Sequence, residues 1–396
     1  MPTSTFAPAV LADEFRHELR GQMPVTAHWA YFDHAAVAPL SAPAASAMAF
    51  WAEQARDAGD TVWLSWAERV ENTRRHAAAL VGADGDEIAL VNSTTHGINL
   101  VAEGVDWRPG DNVVVLADEF PSNLYPWMHQ ASRGVEARLI STDRGLIDLD
   151  AFRDACDERT RVVSFSWVAY SSGVRRNIDL LCEIAKSCGA NGGRGAWVFL
   201  DAIQGLGVFP LDVTQTPIDF FAADGHKWLL GPEGAGIAFI RRERLEDLRP
   251  VGIGWNSVVG SANFNRIEMQ LKDNAARYEG GSANMAGQLA LGASLEMLLG
   301  RTAEVAAAVL DITDYLCERL MERGVEVFSL RGPTPCGADQ RSGIVSAAWP
   351  GMEPAEVRRR LADAGVAISV RDERLRMSPH AYTIRDDVDR LIDALP

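Results

Sequence analysis

The chain has 396 residues, of which 47% are hydrophobic and 23% charged, so it is long enough for two globular domains and is neither disordered nor fibrous. A net charge of -16 and an isoelectric point near 5.0 argue against nucleic acid or an anionic membrane as a partner, because the summed field repels polyanions. No apolar stretch reaches the roughly 20 residues of a membrane span, and the N-terminus lacks a basic region followed by an apolar run.

The cysteines indicate a reducing compartment. Their number is odd and no C-x-x-C pair occurs, so neither a disulfide framework nor a zinc site is indicated. The five are Cys156, Cys182, Cys188, Cys317 and Cys336. Together with the absence of targeting signals, free thiols predict a soluble cytoplasmic protein without a bound metal.

The first part of the chain combines helices with one short strand. After an N-terminal helix, residues 29–41 predict an extended segment that ends in a turn, and helical sequence follows to about Val81. A buried strand at 87–91 leads through the polar turn 92–97 into the helical run 98–105.

The polar turn has the features of an anion site. Free backbone N–H groups and the positive end of the helix dipole favour an anion there, with Ser93, Thr94 and Thr95 as extra donors. A plain Ser/Thr helix cap explains the same residues, so the turn alone does not decide between the two.

Apolar strands then alternate with helices, which predicts an α/β fold with a mostly parallel sheet. The strands are predicted at 112–116, 137–140, 162–167 and 197–200, and the helices at 123–133, 148–156 and 178–188. Ligands of such sheets bind beyond the carboxyl ends of the strands. The residues in these positions are polar or reactive: Ser93 to Gly97, Asp118 to Phe120, Tyr170 to Gly173, Asp201, Gln204, and Asp224 to Lys227.

Lys227 is the candidate covalent catalyst in the stretch 219–240, DFFAADGHKWLLGPEGAGIAFI. Apolar surroundings disfavour the ammonium form of a lysine, so its pKa falls and a nucleophilic amine becomes available. An ordinary surface lysine before a glycine-rich hairpin would fit this stretch equally well.

The pattern changes past about residue 260 and predicts a smaller α+β domain. An amphipathic helix is expected at 303–323, with Gly324 as its cap. The other predicted elements are strands at 325–330, 344–349 and 367–370 and helices at 354–364 and 384–395. The predicted division is an N-terminal segment 1–30, a large domain 31–260 and a small domain 261–396, the segment belonging with the small domain.

Together, the strand-end residues match the requirements of pyridoxal phosphate (PLP). This cofactor needs a lysine for its aldehyde, an acid beside the pyridine nitrogen, a phosphate cradle and a flat group over the ring. The segment WVFLDAIQ, upstream of Lys227, resembles the D-x-x-Q motif of the class V aminotransferase and cysteine desulfurase superfamily. The resemblance extends through YFDHAAVAPLS, NSTTHGINL, DEFPSNLYPW, GHKW, YEGGSANMAG and RLRMSPHAYT. It implies the type I fold of PLP-dependent transferases, a large domain with a mostly parallel sheet and a smaller C-terminal α+β domain.

The resemblance also implies a cofactor role for each matching residue. Lys227 would form the Schiff base with PLP, Asp201 would pair with the pyridinium nitrogen, and Gln204 would bond the ring hydroxyl. The other implied cofactor contacts are Ser93, Thr94, Thr95 and His226 around the phosphate, Phe120 over the ring, and Ser282 in GGSAN. Because Ser282 would reach the phosphate of the neighbouring subunit, the resemblance implies a homodimer with shared sites.

The implied substrate contacts come from both ends of the chain. Arg376, in R-x-S, matches the arginine that binds the substrate α-carboxylate bidentately. His34 and Ala36, in YFDHAAVAPLS, are the other expected substrate contacts.

Three departures from the desulfurase pattern bear on the reaction. The loop before Arg376 is short and lacks the cysteine that takes up sulfur as a persulfide, and Cys336, in a Gly- and Pro-rich loop, is interpreted as a bystander. Tyr170 stands where desulfurases have an asparagine, and its hydroxyl either acts as an acid or hydrogen-bonds the ring oxygen, or the side chain simply packs on the cofactor. Asp224 replaces a small hydroxyl residue, so its carboxylate is expected to point away from a phosphate or to pair with a cation. The F-P-S form at Phe120 is closer to kynureninases and isopenicillin N epimerase-like members.

These residues predict an enzyme that acts on a small α-amino acid through an external aldimine, with Lys227 removing the α-proton. A desulfurase-like cysteine or C–S lyase without a persulfide relay is favoured because the motif order is closest to that group. An aminotransferase is the alternative, followed by an amino-acid epimerase. A non-catalytic PLP-binding protein would predict damage to the lysine, aspartate or arginine, and none is visible.

Overall fold

The computed structural model describes residues 9–189, 191, 193–332, 339–349 and 351–396. Its helices, in chain order, are α1 (Ala9–Gly21), α2 (Ala42–Asp57), α3 (Trp63–Val81), α4 (Thr94–Gly104), α5 (Tyr125–Met128), α6 (Leu149–Ala155), α7 (Ile178–Lys186), α8 (Met285–Leu298), α9 (Thr302–Glu322), α10 (Pro354–Asp363) and α11 (Arg385–Ala394). Its strands are β1 (Ala30–Tyr31), β2 (Ile88–Val91), β3 (Asn112–Leu116), β4 (Glu136–Ile140), β5 (Thr142–Asp143), β6 (Leu146–Ile147), β7 (Thr160–Ser166), β8 (Trp197–Asp201), β9 (Phe220–Asp224), β10 (Gly236–Ile240), β11 (Glu326–Val327), β12 (Val345–Ala348), β13 (Val366–Ala367), β14 (Ser369–Arg371) and β15 (Arg374–Met377).

A seven-stranded sheet forms the centre of the molecule and confirms the predicted α/β fold. Its strand order is β2-β10-β9-β8-β7-β3-β4. Every neighbouring pair is parallel except the two made by β10, which runs antiparallel to β2 and β9. The carboxyl ends of β7, β8 and β9 therefore lie side by side, and the residues that follow them meet at one edge.

Helices cover both faces of this sheet, which explains why its strands are short apolar runs. Alternate residues of β3 show the two faces: Val114 packs in a cluster with α3, α7 and α8, while Val113 packs in a second cluster with α4. Helix α8 contacts α2 and α3. The sequence did not predict this helix.

The C-terminal part contains a second sheet, with four antiparallel strands in the order β11-β12-β15-β14. It shares a third hydrophobic cluster with the C-terminal half of α9, with α10 and α11, and with Ala30 and Phe32 of the N-terminal segment. Strand β1 pairs in parallel with β13. The domain boundaries at 30 and 260 stay a prediction. None of the described helices is long and apolar enough to cross a membrane.

Candidate active site

A cavity of about 270 Å³ lies at the carboxyl ends of β7, β8 and β9. It brings together residues that are far apart in the sequence and come from both the central sheet and the C-terminal sheet. The sequence-predicted residues in its lining are Ala36, Ser93, Thr94, Thr95, Phe120, Tyr170, Asp201, Gln204, His226, Lys227 and Arg376. Their functional roles stay predictions, but their convergence defines this cavity as the candidate active site.

Lys227 enters the cavity from the turn that follows β9. The turn is tight, because a Cβ at Gly225 would lie 2.6 Å from the carbonyl oxygen of Ala235, and Leu230 holds a left-handed φ of 58°. Burial lowers the pKa of Lys227 to about 8, against the opposing charge of Asp201. At pH 7 roughly a tenth of the amine is therefore unprotonated, and the fraction grows as the pH approaches 8.

The other two lysines of the chain lie outside this cavity. Lys186 pairs with Asp219 at 2.5 Å, and Lys272 donates a hydrogen bond to Asn256. Lys227 is thus the one lysine of the chain in the cavity lining, which favours the covalent role over the surface interpretation.

Asp201, at the end of β8, has an environment that favours its protonated form in the absence of a ligand. Burial raises the pKa of its carboxyl to about 7, and the nearby carboxylate of Glu119 acts in the same direction. Glu119 is itself buried and accepts hydrogen bonds from the backbone N–H and the hydroxyl of Ser166 and from Arg176. A cationic group placed beside Asp201 would restore its carboxylate.

This environment predicts that Asp201→Asn stabilises the ligand-free protein at high pH. The pKa of Asp201 is raised in the folded state, so its contribution to stability is present at acid pH and is lost as pH rises from about 4 to about 7. Asparagine does not titrate. We expect the Tm of the variant to exceed that of wild type by roughly 2 °C or more at pH 8, and the difference to shrink towards pH 4.

Thermal unfolding of the PLP-free proteins across this pH range measures the difference. Asp154→Asn, at an exposed position of α6, is the matched control and should show no such trend. A Tm difference for Asp201→Asn that is the same at pH 4 and pH 8 would contradict the assigned environment.

The N-terminus of α4 supplies hydrogen-bond donors to the cavity. Ser93 caps the helix by accepting from the N–H of His96 at 3.0 Å, and the first-turn N–H groups of Thr94 and Thr95 have no intrahelical partner. A Cβ at Gly97 would lie 2.5 Å from that of Ala222 in β9, so this glycine lets the helix pack close to the sheet. Both the cap and the anion-site interpretations of this turn are thus compatible with one geometry.

Asp224 and His226 form a pair beside these hydroxyls. Oδ2 of Asp224 lies 2.9 Å from Nδ1 of His226, and the backbone N–H of Asp224 donates to the Thr94 hydroxyl. The Asp224 carboxylate therefore lies against the imidazole of His226, two residues along the chain. Its pairing with a cation, or its orientation away from a phosphate, stays a prediction.

Arg376 reaches the cavity from β15. It donates to the Ser369 hydroxyl at 3.1 Å and to the Tyr170 carbonyl at 2.9 Å, and Nη2 lies 3.6 Å from Asp33. Among the described residues Nη2 has no hydrogen-bond acceptor, although it is buried. Burial lowers the pKa of Arg376 to about 10. An incoming anion would supply an acceptor for Nη2 and a second counter-charge beside Asp33.

The aromatic residues of the lining contact each other. The rings of Phe120 and Tyr170 lie edge to face with centroids 5.4 Å apart, and Nζ of Lys227 is 5.8 Å from the Phe120 centroid. Gln204 is held by its own contacts, since its amide donates to the Ala35 carbonyl and accepts from the indole of Trp228. One N–H of the Gln204 amide therefore remains for a ligand.

Two predicted site residues lie elsewhere. His34 is fully buried behind the cavity, where its ring nitrogens contact the Ser378 carbonyl and the Tyr382 hydroxyl. Ser282 lines a separate cavity of about 200 Å³ together with Tyr278 and Asn284. The geometry therefore does not support substrate contact by His34. Ser282 does not line the candidate active site of its own chain.

The cysteines also lie away from the cavity. Cys156, Cys182, Cys188 and Cys317, which the structure describes, do not line it, and Cys336 is outside the described residues. The sequence interpretation missed other lining residues, notably Ser122, which accepts from the Thr95 hydroxyl, and Arg371. Neither residue directly follows a strand of the central sheet, which was the signal used to find site residues. Ser122 lies in the loop between β3 and α5, and Arg371 belongs to the C-terminal sheet.

Comparison with known proteins connects this geometry to one family. The aminotransferase class-V family model matches residues 30–391. A probable cysteine desulfurase of Methanothermobacter thermautotrophicus is 30% identical over 286 residues, which cover 71% of this chain and 69% of the relative. A cysteine desulfurase of Escherichia coli K12 is 27% identical over 350 residues, covering 83% of this chain and 82% of the relative.

Solved structures have the same fold over nearly the whole chain. The apo structure of cysteine desulfurase from Thermococcus onnurineus NA1 has a TM-score of 0.83 at 24% identity and covers 95% of this chain and 96% of its own. The complex between the cystine C-S lyase C-DES and its product cysteine persulfide has a TM-score of 0.85 at 20% identity, with coverage of 94% and 98%. The similarity therefore includes both sheets.

Proposed function

The chain belongs to the aminotransferase class-V family, whose members use PLP, and we propose that it is a desulfurase-like C–S lyase acting on a small α-amino acid without a persulfide relay. The observation that carries the proposal is the cavity in which Lys227, Asp201 and Arg376 converge while none of the described cysteines reaches it. The relatives named cysteine desulfurase support a desulfurase-like enzyme.

The lining fits PLP by the chemistry of its donors. A lysine amine, a buried carboxyl with raised pKa, free N–H groups at a helix start and an aromatic ring all face one cavity. Lys227 would hold the aldehyde, Asp201 the pyridine nitrogen, the α4 start with His226 the phosphate, and Phe120 the ring. When bound, PLP supplies an electron sink for charge that develops at the substrate α-carbon.

Each side chain then has a defined task. Arg376 binds the substrate α-carboxylate with the free Nη2 and fixes the orientation of the α-carbon. The Lys227 amine, whose lowered pKa keeps part of it unprotonated, accepts the α-proton. The Asp201 carboxyl either holds a proton or, as a carboxylate, pairs with a cationic group placed beside it. Tyr170 lies close enough to Phe120 to help exclude water.

The choice of a lyase follows from what the cavity lacks. A persulfide relay requires a cysteine that attacks the substrate sulfur, and no described cysteine lines the cavity. Without it, the sulfur group leaves directly with the electron pair of the Cβ–S bond. Cysteine would then give sulfide, pyruvate and ammonia with uptake of one water.

The same proposal includes a homodimer in which Ser282 of one subunit serves the site of the other. Ser282 lies in a cavity separate from Lys227, and large apolar side chains at 253–269 are exposed, among them Phe264, Ile267 and Met269. An apolar surface of this kind favours association. Sedimentation of the purified protein checks the dimer, and a monomer with full activity would contradict it.

The function is tested by adding single amino acids to the yellow, PLP-loaded protein. With L-cysteine we expect release of sulfide and pyruvate in equal amounts while the visible spectrum returns to its starting form. With L-alanine we expect no lasting change. Bleaching by alanine that a keto acid reverses would instead identify an aminotransferase, and racemised alanine an epimerase.

A further inference from the structure

The hairpin β14–β15 brings a second guanidinium, that of Arg371, into the cavity. Ser369 pairs with Arg376 and Arg371 pairs with Arg374 across the hairpin. Cross-strand partners share a face of the sheet, and so do residues two apart on one strand. Arg371 and Arg376 therefore project from the same face as diagonal neighbours, and both line the cavity.

The turn of this hairpin is held in an unusual conformation. Asp372 and Glu373 have φ values of 45° and 57°, a left-handed pair normally occupied by glycine or asparagine. The Asp372 carboxylate accepts a hydrogen bond from the Ser171 hydroxyl, which lies next to Tyr170. This contact ties the turn to the loop after β7 and so fixes Arg371 above the cavity.

Arg371 has no close ion-pair partner among the residues that the structure describes. Its Nη1 donates to the carbonyl of the preceding Val370, and among the described residues no carboxylate lies within 4.0 Å of its guanidinium. Asp33 lies 3.6 Å from Arg376, and the charge of Arg371 acts on its carboxyl only from beyond ion-pair distance. The charge of Arg371 further lowers the pKa of the buried Arg376, so the two cations repel each other. Since Asp33 lies 3.6 Å from Arg376, a ligand whose single carboxylate binds Arg376 leaves Arg371 as the guanidinium without an anionic partner.

We propose that Arg371 selects substrates with a second carboxylate at the end of the side chain, so that the substrate class is S-substituted cysteines whose substituent ends in a carboxylate. This inference rests on the proposed C–S lyase function. Arg376 binds the α-carboxylate and Arg371 the distal one, each through a charge-assisted fork. Breaking the Cβ–S bond releases a thiol that carries the distal carboxylate, and one water converts the remaining fragment to pyruvate and ammonia.

Two matched ligand pairs test this on the PLP-loaded enzyme. L-glutamate and L-glutamine differ in charge but hardly in shape, and both lack a leaving group. Their dissociation constants are measured by calorimetry. S-carboxymethyl-L-cysteine and S-carbamoylmethyl-L-cysteine form the corresponding pair for turnover, measured as pyruvate release.

The variants are Arg371→Gln and, on the opposite strand, Arg374→Gln. Arg374 is the cross-strand partner of Arg371, but its guanidinium stacks on Phe328 at 3.7 Å and it does not line the cavity, so it controls for loss of one positive charge from the same hairpin. We expect Arg371→Gln to weaken glutamate binding about tenfold to a hundredfold and glutamine binding less than about twofold. Arg374→Gln should change neither, and Arg371→Lys should restore part of the loss.

The possible results separate the two proposals. Equal losses for glutamate and glutamine in Arg371→Gln would overturn the inference and make Arg371 a contact of the α-carboxylate or of the cofactor. Pyruvate release from both cysteine derivatives with no preference for the acid would overturn it while leaving the lyase intact. A strong, Arg371-dependent preference for glutamate without pyruvate from any cysteine derivative would instead overturn the lyase function and the cysteine-derived substrate class, and would leave Arg371 as the binding residue for a second carboxylate.

Discussion

Replacing Lys227 with alanine is expected to abolish turnover while the fold is retained. The amine is the one lysine nitrogen in the cavity, and in the proposed mechanism it would be both the attachment point for PLP and the base for the α-proton. Loss of a covalent catalyst that is also a general base should lower kcat by roughly ten-thousand-fold or more. Pyruvate release from L-cysteine, followed over hours at saturating PLP, measures the effect.

Lys272→Ala is the matched control for Lys227→Ala. This lysine lies outside the cavity and contacts Asn256, so its removal should leave kcat within about twofold, as for most substitutions away from a site. Circular dichroism of both variants reports whether the fold is intact. Undiminished activity in a folded Lys227→Ala protein would rule out the role assigned to this residue.

Replacing Arg376 with alanine is expected to act on substrate binding. The buried Nη2 has no acceptor among the described residues, and a substrate carboxylate would supply one. Losing a buried, charge-assisted pair should raise KM for carboxylate substrates about a hundredfold, with a smaller fall in kcat caused by poorer orientation. Steady-state kinetics with L-cysteine separate the two parameters.

Arg376→Lys distinguishes charge from geometry at this position. Lysine keeps the positive charge but lacks the planar fork, so we expect KM between those of wild type and Arg376→Ala. For L-cysteine methyl ester, which has no carboxylate, KM should rise far less than for L-cysteine in both variants. If the KM of L-cysteine were unchanged in Arg376→Ala, another residue would have to bind the α-carboxylate.

The central sheet was predictable because its strands are buried on both faces. Short apolar runs such as 112–116 and 197–200 appear as strands with almost the same bounds, since burial leaves no polar alternation to obscure them. Asp201 and the stretch 224–227 follow such strands directly. The parallel arrangement then places them at one edge without further information.

Features that do not follow a buried strand of the central sheet were not predictable in the same way. His34 lies in a motif of the family, yet its side chain packs among Trp228, His380 and Tyr382, a burial that depends on tertiary contacts. Helix α8 packs against α2 and α3 and is apolar on most sides, with Glu296 as its one charged residue, so it lacks a broad polar face that would mark its period. The location of Arg371 at the cavity depends on the register of the β14–β15 hairpin. The turn of this hairpin, Asp372 and Glu373, contains no glycine that would reveal it in the sequence.

Reduction of the PLP-loaded protein with borohydride, followed by peptide mapping, tests the central claim most directly. Reduction fixes the cofactor covalently to the lysine that holds it, and the chain has only Lys186, Lys227 and Lys272 to choose from. We predict that the pyridoxyl group is found on the peptide containing Lys227. Label on Lys186 or Lys272, or a reduced protein without label, would contradict the assignment of this cavity as the PLP site.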